Sequence, residues 1–309
     1  MSDARVSSLQ AAVPALQVLT DPADLAHYGV DWTRRWTPAP LAIAFPADVA
    51  QVQAVMRWAH AHGVAVVPSG GRTGLSGGAV AANGELVLSL QKMNKVLAFE
   101  PVDRLLTVQA GAALETVQDA ARTHGLQYPV DFAARGSCTI GGNIATNAGG
   151  IRVVRYGNTR EWVAGVKLVT GTGELLDLNR GLVKNSSGYD LRHLAIGAEG
   201  TLGIVVRVRL KLHRLPDYSR AIAYGFDSFA TGLEACRQIM QGGANPAALR
   251  LYDALESGVQ FEEPELNVLL IADEGAPEIV DAVMTISERV CAGLGRKLDG
   301  DAIFERWLD

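Results

Sequence analysis

The chain has 309 residues, of which 48% are hydrophobic and 20% are charged, so it can bury one large core or two smaller ones. Its 28 basic residues face 33 acidic ones, and the net charge of -5 leaves no basic field over the whole chain that would hold it on nucleic acid. Composition therefore predicts about two domains and excludes nucleic acid as an expected partner.

The cysteine pattern and the opening residues indicate a cellular compartment. Cys138, Cys236 and Cys291 are odd in number and lack CxxC spacing, which favours reduced thiols over a disulfide framework or a zinc site. The opening residues show no basic stretch followed by a long apolar core, as a signal peptide would. No run reaches the roughly 18 apolar residues of a membrane span. We therefore expect a cytoplasmic protein without a transmembrane segment.

Hydrophobic periodicity predicts alternating strands and helices in the first two thirds of the chain. Helices begin after Pro46 and near Leu114, and they end at Gly63 and Gly125. The predicted strands are residues 41–45, 64–67, 86–90, 105–108, 163–169, 174–178 and 206–212. The last of these has the clearest period of two, which is typical of a strand with one wet face.

A second pattern begins after Pro216, which we take as the domain boundary. Strands are predicted over 221–226, 248–252 and 268–272, and one further helix starts near Asp301. Two more helices are predicted with apolar faces of Phe229, Leu233, Cys236 and Met240, and of Ile279, Val283, Ile286 and Val290. This order resembles an α+β sandwich, and we expect it to be incomplete at Asp309.

Much of the glycine falls in three segments, and their composition favours binding of an anion. The first glycine segment is residues 68–79, the second is residues 136–150 and the third is residues 197–203. Five of the twelve residues in the first segment are glycine. Successive backbone amides can converge on a phosphate where glycine allows positive φ and close approach. Neither GxGxxG followed by a helix nor GxxxxGK[ST] occurs, so the segments predict one long ligand held mostly by backbone.

In their order, the three segments and Arg155-Tyr156-Gly157 resemble the FAD-binding domain of the vanillyl-alcohol-oxidase (PCMH-type) flavoproteins. The resemblance covers about 37–216. It is greatest to the branch that holds the glycolate oxidase flavin subunit, the D-lactate dehydrogenases and the D-2-hydroxyglutarate dehydrogenases, which residues 28–33 and 184–191 also resemble.

This resemblance implies an α+β fold with three parts. Residues 1–36 would be an N-terminal segment, residues 37–216 a PCMH-type FAD-binding domain of two α+β subdomains, and residues 217–309 a ferredoxin-like substrate domain that is cut short. The implied FAD contacts are Pro68, Ser69, Gly70, Gly71, Arg72, Thr73, Gly74, Leu75, Ser137, Ile140, Gly141, Gly142, Asn143, Asn147, Gly149, Tyr156, Glu199, Gly203 and Ile204.

The resemblance also implies how FAD is attached. Some members of the superfamily bind flavin covalently through a histidine in the first segment. This chain has Arg72 and Thr73 there instead. We therefore expect FAD to be bound non-covalently.

The implied activity is oxidation of a D-2-hydroxy acid (lactate, glycolate or 2-hydroxyglutarate) by hydride transfer to flavin N5. Members of the branch supply a metal site of histidines and a glutamate from a later segment, and this sequence shows no such cluster. We therefore assign no catalytic residue and no metal, and we expect a divalent metal only with residues beyond Asp309. Lys184 and Arg250 are candidate contacts to the substrate, and a quinone, an electron-transfer flavoprotein or oxygen is the open choice of electron acceptor. The oligomeric state is open.

Two alternatives remain open. Residues 247–253 and 271–275, with Arg306-Trp307-Leu308, resemble the substrate domain of alkylglycerone-phosphate-synthase-like flavoproteins, which form an ether bond. The other alternative is an FAD-binding fragment whose active site is unfinished.

Overall fold

Two units divide the part of the chain that the computed structural model describes, which is residues 4–179, 181–182 and 184–308. Unit 1 is the described part of Met1–Ala148 together with Asn158–His213, and unit 2 is Gly149–Gly157 with the described part of Arg214–Asp309. The boundary after His213 lies close to the predicted one at Pro216. Two differences are that residues 149–157 belong to unit 2 and that the N-terminal residues belong to unit 1 rather than to a separate segment.

Helices and strands alternate along both units. The helices are α1 (Ala4–Ala12), α2 (Pro22–Tyr28), α3 (Val49–His62), α4 (Leu114–Arg122), α5 (Ile140–Ala145), α6 (Val153–Tyr156), α7 (Thr159–Trp162), α8 (Arg192–Ala195), α9 (Phe229–Gln241), α10 (Ala254–Phe261), α11 (Pro277–Ala292) and α12 (Gly300–Leu308), with a 3-10 turn at Ala133–Gly136. The strands are β1 (Gln17–Leu19), β2 (Ala42–Phe45), β3 (Val66–Ser69), β4 (Leu86–Ser89), β5 (Val96–Glu100), β6 (Leu105–Gln109), β7 (Leu126–Gln127), β8 (Val163–Val169), β9 (Leu175–Leu178), β10 (Ile204–Lys211), β11 (His213–Arg214), β12 (Tyr218–Phe226), β13 (Ala248–Leu251), β14 (Asn267–Gly275) and β15 (Arg296–Leu298).

Unit 1 is built on two large sheets. One has the order β1-β2-β4-β3, in which β4 pairs in parallel with both β2 and β3. The other is antiparallel, with the order β5-β6-β10-β8-β9. The predicted helix before Gly63 is confirmed: the Asp48 carboxylate caps α3 by accepting from the Gln51 amide, and Gly63 ends it at φ 61°.

Unit 2 is built on one antiparallel sheet, β13-β14-β12-β15, with a hydrophobic core on each face. Alternate residues of β12 point to opposite faces, so Ile222 and Tyr224 pack with α9 and α11 while Ala223 packs with Phe261 and Ile303 of α10 and α12. Burial of both faces explains the almost continuous apolar runs of β12 and β14.

The buried face of α9 differs from the predicted one. Its buried residues are Gly232, Ala235 and Ile239, whereas the large predicted residue Leu233 is 57% exposed. A Cβ on Gly232 would lie 2.6 Å from Leu251 Cδ1, so the helix packs closely on the sheet through small residues. The face of α11 shifts in the same way, to Val280, Val283, Met284, Ser287 and Cys291.

Residues 149–157 are held in unit 2 by side-chain contacts to the end of β14. Arg155 forms an ion pair with the buried carboxylate of Asp273 and donates to the backbone oxygens of Asn245 (2.7 Å) and Glu274 (2.8 Å). Arg152 pairs with the Glu274 carboxylate at 3.0 Å. Burial raises the pKa of Asp273, and the charge of Arg155 opposes that rise.

In the ranges given above, we find no helix that combines the length and the hydropathy that crossing a membrane requires.

Asp273→Ala should lower the free energy of unfolding by about 3–5 kcal/mol, because it leaves the mostly buried Arg155 guanidinium without a counter-ion. Chemical denaturation measures the loss. Asp281→Ala is the matched control, since Asp281 pairs with Arg220 at the surface of the same unit and should cost less than about 1 kcal/mol. Equal losses in the two variants would contradict the role of burial.

Candidate functional site

A cavity of about 430 Å³ lies in unit 1 where the three glycine segments meet. The first segment follows β3, the second contains α5 and the third leads into β10. The predicted cofactor contacts that line this cavity are Pro68, Ser69, Gly70, Gly71, Arg72, Thr73, Gly74, Leu75, Gly141, Gly142, Asn143, Glu199, Gly203 and Ile204. Sequence reasoning missed other lining residues, among them Phe132, Cys138, Thr139 and Leu168.

Backbone hydrogen bonds join the second and third segments. The Gly197 amide donates to the Ile144 oxygen, and the Glu199 amide donates to the Ala145 oxygen, both at 2.9 Å. Both carbonyl groups lie in the last turn of α5, where oxygens lack partners inside the helix, and the Ile144 oxygen also accepts from the Asn147 amide at 3.1 Å. The two segments are therefore fixed to each other before any ligand is considered.

Close packing of backbone explains several of the glycines. A Cβ on Gly71 would lie 2.0 Å from the Ser137 oxygen, and one on Gly70 would lie 2.3 Å from Thr139 Oγ1. Neither glycine has positive φ. Close approach, and not positive φ, is therefore the reason for glycine at position 71, where the first segment contacts the second.

The positive φ in the first segment falls on Arg72, at 55°, and on Gly77, at 84°. The Arg72 guanidinium donates to His27 Nε2 at 3.0 Å, and its Cζ lies 4.6 Å from the centre of the Tyr28 ring. Arg72 is thus engaged by side chains of α2, and the backbone of the segment is left to face the cavity.

Asp31 is a buried carboxylate that contacts the first segment, and sequence reasoning did not single it out. Burial acts to raise its pKa, but hydrogen bonds from the Thr33 side chain and from backbone amides, that of Gly77 included, outweigh burial and hold the pKa below its ordinary value of 3.8. The stabilisation from a lowered carboxylate pKa is present above the ordinary value and is lost as pH falls through the lowered one. Asp31 lies far from the first segment in sequence, so no local pattern marks this contact.

Two buried polar atoms at the cavity have no hydrogen-bond partner among the described residues. They are Ser69 Oγ and Asn143 Nδ2, on residues that are 1% and 4% exposed. A buried polar group without a partner is costly, so a ligand that supplied partners would recover that cost. Such a ligand needs polar atoms along its length, as the ribityl chain and pyrophosphate of FAD provide. The residues present therefore fit the flavin nucleotide that the sequence predicts.

Charge at the cavity is sparse. Among the described residues that line it, Arg72 and Glu199 carry a formal charge. An anionic ligand would therefore be bound chiefly by backbone amides, as the glycine composition predicts.

Five predicted contacts lie away from the lining surface. Ile140 is fully buried in the core, and Asn147 Oδ1 accepts from the Arg160 amide at 2.9 Å. The Ser137 backbone supports the first segment from behind. Gly149 and Tyr156 are part of unit 2, and the Tyr156 hydroxyl donates to Glu274 at 3.0 Å. Burial and Glu274 raise the pKa of Tyr156 to about 12.

The two predicted substrate contacts are both exposed. Lys184 lies in the loop before α8. Arg250 is on β13, and its guanidinium carbon lies 5.5 Å from the centre of the Tyr252 ring. Neither residue lines the cavity.

Over the described ranges, no group of three or more histidine, cysteine, aspartate or glutamate side chains is arranged to hold a metal ion.

Comparison with known proteins bears on the cofactor. Residues 40–179 match the family described as "FAD binding domain". This match confirms FAD as the cofactor.

The chain is similar to proteins named D-2-hydroxyglutarate dehydrogenase. It is 72% identical over 229 residues to the one from Xanthomonas citri pv. viticola, which covers 74% of this chain and 48% of that protein. It is 55% identical over 235 residues to the one from Stutzerimonas stutzeri (75% and 51%) and 38% identical over 237 residues to the mitochondrial one from Bos taurus (77% and 43%). The chain thus spans about half the length of these curated relatives.

Solved structures show the fold. An alkyldihydroxyacetonephosphate synthase superposes with a TM-score of 0.82 at 21% identity, covering 98% of this chain and 63% of the other. p-Cresol methylhydroxylase superposes with a TM-score of 0.80 at 18% identity, covering 98% and 68%. These matches confirm the predicted PCMH-type α+β fold, and at such identity they carry no activity.

Gly71→Ala should destabilise the protein by about 1–3 kcal/mol, because the added Cβ would overlap the Ser137 oxygen. Gly74→Ala is the matched control in the same segment, since no atom lies within 4 Å of its added Cβ. Thermal unfolding of the flavin-free protein measures both.

The larger substitution Gly71→Val should also remove more bound flavin than Arg72→Ala does. In the parent chain the Arg72 guanidinium already donates to His27, so its loss should matter less for flavin binding. Flavin content per chain decides this. If Arg72→Ala strips the flavin while Gly71→Val retains it, binding by backbone is the wrong account.

Proposed function

We propose, from the match of residues 40–179 to the FAD-binding domain family, that the protein oxidises a D-2-hydroxy acid, with D-2-hydroxyglutarate as the first candidate. The observation that carries the proposal is the high identity to the Xanthomonas citri dehydrogenase. The cavity in unit 1 supports it, since its walls suit a flavin nucleotide.

We propose that the three glycine segments bind FAD. Backbone amides of residues 69–75 would hold the pyrophosphate, and Ser69 Oγ and Asn143 Nδ2 would gain the partners that the protein does not give them. The Glu199 carboxylate suits a hydroxyl donor of the ligand rather than a phosphate, because like charges repel.

When bound, FAD supplies the acceptor for the hydride that leaves the hydroxy carbon of the substrate. The task of the chain is to fix that carbon against the cofactor and to neutralise the carboxylates. Lys184 and Arg250 stay as the proposed carboxylate contacts. We propose no base, and the electron acceptor and a cytoplasmic location stay predictions, since some relatives are named mitochondrial.

The flavin should be non-covalent, because the first segment has Arg72 and Thr73 where a covalent histidine would stand. Acid or heat denaturation should release one yellow cofactor per chain into the supernatant. Flavin that stays on the denatured chain would contradict this prediction, as would a colourless preparation that FAD cannot reconstitute.

Anaerobic addition of D-2-hydroxyglutarate should bleach the flavin absorbance, whereas the L enantiomer, which is the matched control, should not. The bleaching should be slower than about 1 per second, a rate typical of working enzymes, because we assign no base and the described residues show no metal cluster to position the substrate. Added zinc or manganese should give no large rescue. Stopped-flow spectroscopy measures the rate.

Reduction at about 1 per second or faster would show that the described residues already complete the site. Indifference to D-2-hydroxyglutarate, D-lactate and glycolate alike would overturn the proposed oxidation and favour an ether-forming transferase or a flavin-binding fragment.

A further inference from the structure

We propose that Asp31 is a positioning residue that holds the first glycine segment in its FAD-binding conformation before FAD binds. The proposal rests on the FAD site assigned above. Asp31 does not line the cavity, so it would act on the segment and not on the ligand.

The contacts of Asp31 join two stretches of chain. One carboxylate oxygen, Oδ2, accepts from the Gly77 amide at 3.0 Å. The other, Oδ1, accepts from the Thr33 amide at 3.0 Å and from its hydroxyl at 2.7 Å. Asp31 is 3% exposed, so water competes little for these bonds. Both oxygens are therefore committed to holding residue 77 against residue 33.

The first segment needs support from outside itself. It contains two residues at positive φ, Arg72 and Gly77, and it is not part of a helix or strand after Ser69. The neighbouring support comes from the same stretch of chain as Asp31: the Trp32 amide donates to the Gly74 oxygen at 3.3 Å, and His27 accepts from Arg72. Residues 27–33 thus frame the segment at positions 72, 74 and 77.

Of these contacts, the hydrogen bond from the Gly77 amide to Asp31 is the one that joins a buried, ionised carboxylate to the backbone. Hydrogen bonds to an ionised group are about twice as strong as neutral ones. If the tie is lost, the segment samples other conformations, and its ordering must be completed when FAD binds. The net free energy of such a hydrogen bond corresponds to a loss of FAD affinity of roughly tenfold or more.

The test uses Asp31→Ala and Asp31→Asn in the flavin-free chain. Asparagine keeps one acceptor oxygen, so it should rescue part of what alanine loses. The matched control is Asp48→Ala, because Asp48 also accepts from one backbone amide, that of Gln51, but at the start of α3. FAD affinity is measured by titration of flavin fluorescence, and the conformation of the segment is measured by trypsin cleavage after Arg72, followed by mass spectrometry.

We expect Asp31→Ala to weaken FAD binding by roughly tenfold or more and to expose the bond after Arg72 in the absence of FAD, with Asp31→Asn intermediate. Asp48→Ala should lower thermal stability without either effect. The proposal is overturned if both Asp31 variants bind FAD as the parent does and keep its cleavage pattern, or if Asp48→Ala matches them.

The parent chain separates this proposal from the proposed function. If the parent fails to bind FAD, the assignment of the cavity fails, while cleavage after Arg72 in the Asp31 variants still decides whether Asp31 holds the segment. If Asp31→Ala does not fold, the partial effect of Asp31→Asn decides the same question.

Discussion

The approach of the Gly71 backbone to the Ser137 carbonyl oxygen is the contact on which the cavity depends. The two residues lie far apart in sequence and follow different elements, yet no side chain fits between them. Because even a methyl group would overlap that oxygen, the two segments can meet only as bare backbone. At Gly200 in the third segment, a Cβ would lie 2.5 Å from Cγ of the Pro68 ring. Much of the cavity wall is therefore main chain, to which Ser69, Arg72, Asn143 and Glu199 add polar side chains.

Main-chain walls determine how an anion can be stabilised there. Amide dipoles held by packed backbone need no side-chain ordering when the ligand binds, so less entropy is lost at that step. In unit 2, residues 149–157 are fixed by side chains instead of by packed backbone, through a buried ion pair between Arg155 and Asp273. An ion pair of that kind suits permanent attachment, because separating the charges is costly. A ligand site needs donors that stay in place when the ligand is absent, and rigid backbone provides them.

Sequence patterns predicted most strands, the helix that ends at Gly63 and the three glycine segments, parts of which line the cavity. They did so because period-two and helical spacing reflect burial directly, and because a glycine cluster marks places where side chains do not fit. They failed at α9, where Gly232 and Ala235 form the buried face together with Ile239, while the predicted Leu233 and Met240 stay exposed. The family resemblance implies Tyr156 as an FAD contact, which stays a prediction; the Tyr156 hydroxyl donates to Glu274, a residue more than a hundred positions away. Pairing over that distance leaves no local signal.

The predicted FAD contacts Gly149 and Tyr156 lie in residues 149–157, which belong to unit 2. The chain leaves unit 1 after Ala148 and returns at Asn158. Two hydrogen bonds join the point where the chain leaves unit 1 to the point where it returns. Both the amide and the hydroxyl of the buried Thr159 donate to the Ala148 oxygen, at 2.9 and 2.7 Å. Ala148 lines the cavity, so these two hydrogen bonds fix the end of the second segment within unit 1 itself. Residues 149–157 are fixed within unit 2 by the contacts of Arg155, and Asp273 is one of the partners that hold them there.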